Sequence, residues 1–165
     1  MFRNIVKLTI DVDQDWSLDC IHYLSTIIDL TRVEKLIFNP DFHPELLRST
    51  IDHIHTLLSL TKNLHTLAIH PFSSSNNPIH AEDICAIIPS HLKYLEMTIR
   101  DLESMKIILD HHHQHLWSLT LVAFSDRSLP WSEFLEELIH RKKDFVYWES
   151  YYSLRIWFNQ TNNEL

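Results

Sequence analysis

The stretch Leu64-His65-Thr66-Leu67-Ala68-Ile69 holds an apolar residue, two variable residues, a leucine, one variable residue and a second apolar residue. The same pattern occurs as Ile5-Val6-Lys7-Leu8-Thr9-Ile10, Val33-Glu34-Lys35-Leu36-Ile37-Phe38 and Leu92-Lys93-Tyr94-Leu95-Glu96-Met97. It returns as Leu116-Trp117-Ser118-Leu119-Thr120-Leu121 and Tyr151-Tyr152-Ser153-Leu154-Arg155-Ile156. The central leucines are spaced 28, 31, 28, 24 and 35 residues apart. One copy means little because leucine is common, but six near-regular copies form an internal repeat.

Within each copy the last two apolar positions are two residues apart, which puts them on one face of a strand. Helical spacing fills the intervals. Leu18, Ile21, Leu24 and Ile28 mark the first helix; Leu47, Ile51, Ile54 and Leu58, behind Pro44, mark the second. Ile84, Ile87 and Ile88 form a short helix ended by Pro89. Leu102, Met105 and Leu109 follow an Asp101 N-cap, and Trp131, Phe134, Leu135, Leu138 and Ile139 follow Pro130. Strand and helix alternate to the end, which predicts an α/β fold with about six parallel strands and right-handed crossovers. A doubly wound sheet would show longer all-apolar strands and a ligand loop at a switch point. Polar residues at alternate strand positions favour a solenoid instead. Pro71 to Pro78, PFSSSNNP, reads as a long turn in phase with the repeat.

These features resemble the leucine-rich-repeat family, and more specifically the divergent C-terminal repeats of F-box/leucine-rich-repeat proteins. The resemblance covers nearly the whole chain. It implies a non-catalytic protein–protein interaction module, with substrate recognition for a ubiquitin ligase if an F-box lies upstream in the full gene product. The family places an asparagine three residues after the last apolar strand position. Here Asp13, Asp41, Phe72, Arg100 and Phe124 stand there, and only the sixth copy has it, as Asn159. No segment matches an F-box, and no N-terminal capping repeat precedes the strand that holds Ile5. Residues 1–165 are therefore expected to be one irregular domain, a fragment or C-terminal part of a longer solenoid.

Composition narrows function by exclusion. The 165 residues are 45% hydrophobic and 22% charged, as in ordinary globular chains. No stretch approaches the roughly 18 apolar residues of a membrane span, and the N-terminus is not built as a signal peptide. The expected location is cytoplasmic or nuclear. Cys20 and Cys85 are the only cysteines, without CxxC spacing, and read as two buried thiols. A net charge of −8 argues against nucleic-acid binding, and Arg141-Lys142-Lys143 suits the negative end of a preceding helix. The chain has no glycine, which removes the usual P-loops, dinucleotide fingerprints and nucleophile elbows.

The remaining conspicuous residues have plain explanations. His111, His112, His113 and His115 invite a metal reading, but adjacent helical residues point about 100° apart and no thiolate or carboxylate completes a set. A solvated helix end is favoured, as it is for His53 and His55, two apart on one helix. Glu133, Glu136 and Glu137 could be paired acids, yet carboxylates also stabilise the first turns of a helix. No Ser/His/Asp grouping has a recognisable nucleophile turn. An enzyme using the His111–His115 cluster, metal-binding or hydrolytic, and a remnant without independent function are the alternatives to the interaction module. The expected partner-binding residues flank the central leucines on the inner sheet face: Lys7, Lys35, His70, Tyr94, Glu96, Arg155 and Trp157. Thr66, Ala68, Ser118, Thr120 and others share that face. No cofactor, metal or small molecule is expected, and the partner is a protein of unspecified identity.

Overall fold

The computed structural model describes residues 2, 4–12, 16–40, 47–70, 81–99, 101–112, 115–123, 129, 131–140 and 144–159. Five of the six leucine-centred copies form consecutive parallel strands: β1 (Lys7–Val12), β2 (Lys35–Pro40), β3 (Thr66–Ile69), β4 (Tyr94–Ile99) and β5 (Ser118–Ala123). Their central leucines stand in one register, Leu8 beside Leu36, then Leu67, Leu95 and Leu119. A second row joins Ile10, Phe38, Ile69, Met97 and Leu121. Because side chains alternate along a strand, both rows project to one face, where all but the half-buried Ile10 are buried. Each fully buried aliphatic side chain there contributes about 1.5–3 kcal/mol.

The backbone repeats with the side chains. The carbonyls of Val6, Glu34, His65 and Lys93 each accept two successive amides from the next copy, at 2.7–3.1 Å. Tight turns lead into the strands: the amides of Val33, Leu64 and Leu92 donate to the carbonyls of Leu30, Thr61 and Pro89, three residues earlier. Asn63 ties neighbouring turns together, its Nδ2 donating to the Thr31 carbonyl at 2.7 Å.

Helices α1 (Leu18–Ile27), α2 (Leu47–Leu60), α3 (Ala81–Ile87), α4 (Leu102–His112) and α5 (Trp131–His140) fill the intervals. Each packs beside the next, so they form one layer over the leucine face. Ile21, Ile54, Leu57, Ile84, Met105, Ile108, Phe134 and Leu138 point from that layer into a single core. Asp101 caps α4 as expected, its Oδ1 accepting the Ser104 amide at 2.7 Å. Ile139 is the exception on α5: it is 61% exposed, outside the apolar stripe to which its spacing had assigned it.

The chain is thus an α/β protein with a mostly parallel, seven-stranded sheet in the order β1-β2-β3-β4-β5-β7-β6. This corrects the expected six-strand alternation at its C-terminal end. After α5 the chain forms β6 (Phe145–Glu149), a strand not expected from the repeat, and returns through a tight turn into β7 (Ser153–Phe158), the sixth copy. Strand β7 inserts between β5 and β6 and is antiparallel to both. Leu154 therefore lies opposite Leu121, not Leu119. The 35-residue interval before Leu154 accommodates the extra strand, and a two-residue hairpin requires antiparallel pairing.

The N-terminal side also differs from expectation. Ile5 precedes β1 instead of lying within it, and Phe2 makes an isolated parallel bridge with Ile28. Cys85 is buried in α3, but Cys20 is exposed on α1, and no disulfide joins them. The loop at 71–78, Pro44, Pro130, Asp13, Asp41, Phe72, Arg100, Phe124 and residues 141–143 lie outside the described residues.

Candidate interaction face

One face of the sheet carries the leucine rows and the helices; the other carries the residues between them. Register sets their neighbours. Across the strand starts run Lys7, Lys35, Thr66, Tyr94, Ser118, Trp157 and Val146. The next row is Thr9, Ile37, Ala68, Glu96, Thr120, Arg155 and Trp148. Six of the seven residues expected to bind a partner gather around one depression or touch its wall. Lys35, Tyr94, Glu96, Arg155 and Trp157 line a hollow of about 350 Å³, together with Thr66, Leu95, Ser118 and Thr120. His70, just past β3, lies beside it, with Nε2 3.4 Å from Glu96 Oε1. Lys7 lies outside the hollow, next to Lys35 in the register.

The hollow has a physical cause. Ser118 is small and nearly inaccessible, at 6% exposure, whereas Tyr94 and Trp157, its neighbours in the register, are large and exposed. A short side chain in mid-sheet therefore makes a floor and aromatic ones a wall. Ala68 and Ser118 share this face but are themselves buried.

The wall is held in place by contacts within the sheet. Arg155 Nε donates to Thr120 Oγ1 at 3.1 Å across the β5–β7 pair, and the guanidinium carbon stands 5.8 Å from the Trp157 ring centre. Tyr94 meets Trp117 edge to face at 6.2 Å, and Lys93 Nζ sits 4.2 Å over the Trp117 ring. Asn39 Nδ2 donates to Asp11 Oδ1 at 2.7 Å on the β1 side. Within the hollow, two cations, Lys35 and Arg155, flank the one carboxylate of Glu96, which already faces His70. In a chain of net charge −8, Lys7, Lys35 and Arg155 thus share one face with aromatic surface and with two carboxylates, Asp11 and Glu96.

Val146 and Trp148 extend this face beyond Trp157 and Arg155 and were missed from sequence. The signal was Phe145-Val146-Tyr147-Trp148, a run of aromatic and β-branched residues without the leucine that marked the other strands.

The other singled-out residues are dispersed. His111 and His115 are exposed at the end of α4 and the turn after it; His112 lies in α4 and His113 is outside the described residues. His55 is exposed on α2, with His53 half-buried. Glu137 faces Lys106 of α4, Oε2 to Nζ 3.8 Å, so it bridges two helices. Among the described residues, no three His, Cys, Asp or Glu side chains are grouped as a metal would need. Among them, too, no helix is long and apolar enough to cross a membrane.

No protein-family model matches the chain, and no curated protein matches it.

Proposed function

We propose that the chain is a non-catalytic protein-interaction module, an irregular leucine-rich-repeat solenoid whose open sheet face receives a protein partner. One observation carries the reading: Lys35, Tyr94, Glu96, Arg155 and Trp157, from strands far apart in sequence, share one hollow. Tyr, Trp and Arg are the side chains that most often anchor interfaces: Tyr and Trp bury much area with few rotatable bonds, and Arg offers a planar fork of donors. The excess of cations there favours an acidic segment of the partner. The in-register leucine rows and the single helix layer support the solenoid part of the reading. Family resemblance extends it to substrate recognition for a ubiquitin ligase, in the cytoplasm or nucleus, through an F-box encoded upstream.

The test is affinity purification from native cells with wild-type chain, a Tyr94→Ala/Arg155→Ala/Trp157→Ala variant, and Glu103→Ala on the exposed side of α4 as control. A protein retained by the wild type and the control but lost with the triple variant supports the open-face reading. Equal recovery with the triple variant overturns it. Lack of a ligase scaffold among retained proteins, with no F-box in the upstream reading frame, removes the ubiquitin-ligase extension alone.

A further inference from the structure

Among the described residues, strand β6 is the outer edge of the sheet. Its backbone direction follows from two bonds: the Asp144 carbonyl accepts the Asn159 amide at 3.0 Å, and the Ser150 amide donates to the Ser153 carbonyl at 2.8 Å. Amide and carbonyl of one strand residue point the same way and alternate along the strand. Residues 144, 146, 148 and 150 therefore turn to β7, while Phe145, Tyr147 and Glu149 turn theirs to the outside.

Natural edge strands are guarded by lysine, proline or a bulge. The stretch Phe145-Val146-Tyr147-Trp148 has none of these, and Val146, Tyr147 and Trp148 are 59%, 48% and 56% exposed. At its end β6 carries one charge, the exposed Glu149, against Lys7 and Asp11 on the opposite edge, β1. Tyr151, Tyr152 and Trp157 adjoin the β6 patch and are also exposed. Val146, Trp148 and Trp157 lie on the open side of this edge and Tyr147 on the helix side, so counted over both sides, with about half of each large side chain uncovered, these residues expose roughly 600 Å² of mainly apolar surface. A stable interface takes about 800 Å² per partner, and the edge backbone adds to this surface.

We propose that the occupant is a second copy of this chain, paired antiparallel through β6 about a two-fold axis at Tyr147. The strand is suited to self-pairing. Val146 then meets Trp148 twice on the open face, a β-branched–aromatic pair of the kind that stabilises sheets. Glu149 meets Phe145 and Asp144 meets Ser150, so no carboxylates oppose each other, whereas parallel pairing in register would set Glu149 beside Glu149. The two Tyr147 residues exchange both backbone hydrogen bonds. The axis is perpendicular to the sheet, so the dimer presents both open faces on one side. Net charge of −8 on each copy opposes association, and salt relieves it.

Sedimentation velocity over a concentration series tests this. The expected result is a monomer–dimer equilibrium that tightens as salt is raised. Tyr147→Pro removes an outward amide and no bond to β7, and proline is tolerated at such an edge position; it should weaken dimerisation at least tenfold while the circular dichroism spectrum is unchanged. Trp148→Lys should do the same. If Tyr147→Pro fails to fold, Trp148→Lys and a cross-link decide. Tyr147→Cys with Cys20→Ser should form a disulfide dimer on oxidation, because the paired Cα atoms would be about 5.5 Å apart. A wild-type chain that stays monomeric at its highest soluble concentration overturns the proposal. So does a dimer that survives both β6 substitutions. Neither readout depends on whether the open face binds a partner protein.

Discussion

The carbonyl of Trp117 accepts the amide of Phe158 at 3.0 Å, and at this bond the sheet stops repeating. At the equivalent positions Val6, Glu34, His65 and Lys93 accept two amides from a parallel neighbour. Beyond Trp117 the neighbour runs the other way. The C-terminal hairpin is thus an antiparallel ending on a parallel array, with β6 as its outer strand.

Alternation along β6 should be visible by hydrogen exchange. In dilute solution the amides of Val146, Trp148 and Ser150, which face β7, should be protected. Those of Phe145, Tyr147 and Glu149 should exchange much faster. Uniform protection across residues 145–150 under monomeric conditions would contradict the assigned register.

The leucine row should dominate stability. Leu67 is fully buried in β3, an interior strand, so Leu67→Ala should cost about 2–5 kcal/mol in urea unfolding through lost transfer energy and the cavity left behind. Ile139→Ala, on the exposed side of α5, should change stability by no more than about 0.5 kcal/mol.

Capping at α4 gives a smaller, separable effect. Asp101→Ala leaves the Ser104 amide without its carboxylate partner and should cost about 1 kcal/mol, whereas Asp101→Asn should retain most of the stability. Equal losses in the two variants would show that the side-chain bond to the Ser104 amide is not what stabilises α4.

The two thiols should differ in reactivity. Burial, with the Glu82 carboxylate adding to it, pushes the Cys85 thiol up from 9.0 to about 11. A native chain should therefore be labelled at Cys20 first, and at Cys85 only on unfolding. The folded state holds the Cys85 proton more tightly than the unfolded state does. Its stabilising contribution is complete below pH 9 and is lost as pH rises through about 11, up to about 2–3 kcal/mol. Urea midpoints measured from pH 8 to 11 should fall more steeply for the wild type than for Cys85→Ala.

Much of the open sheet face was legible in the sequence, because alternation along a strand separates core from surface wherever the strand is recognised. Lys35, Tyr94, Glu96, Arg155 and Trp157 follow from that rule alone. Their convergence on a hollow does not, since it depends on which strands are neighbours and on Ser118 being small between Tyr94 and Trp157. Helical spacing names a face without saying how wide the covered stripe is, which is why it places Ile139 in the interior; Cys20 reads as buried only because unpaired thiols usually are.

The repeated leucine pattern, with the helical spacing between its copies, by itself determined every described strand except β6, the helices between them and the side of each that is buried, because burying apolar surface requires those periods. The direction of the sixth copy was decided only in the tertiary structure. A period of two reads the same in both directions, so Leu154 and Ile156 fit the core whether β7 runs parallel or antiparallel. The tight turn at Tyr151-Tyr152, closed by the Ser150–Ser153 bond, makes it antiparallel and leaves Phe145-Val146-Tyr147-Trp148 at the edge.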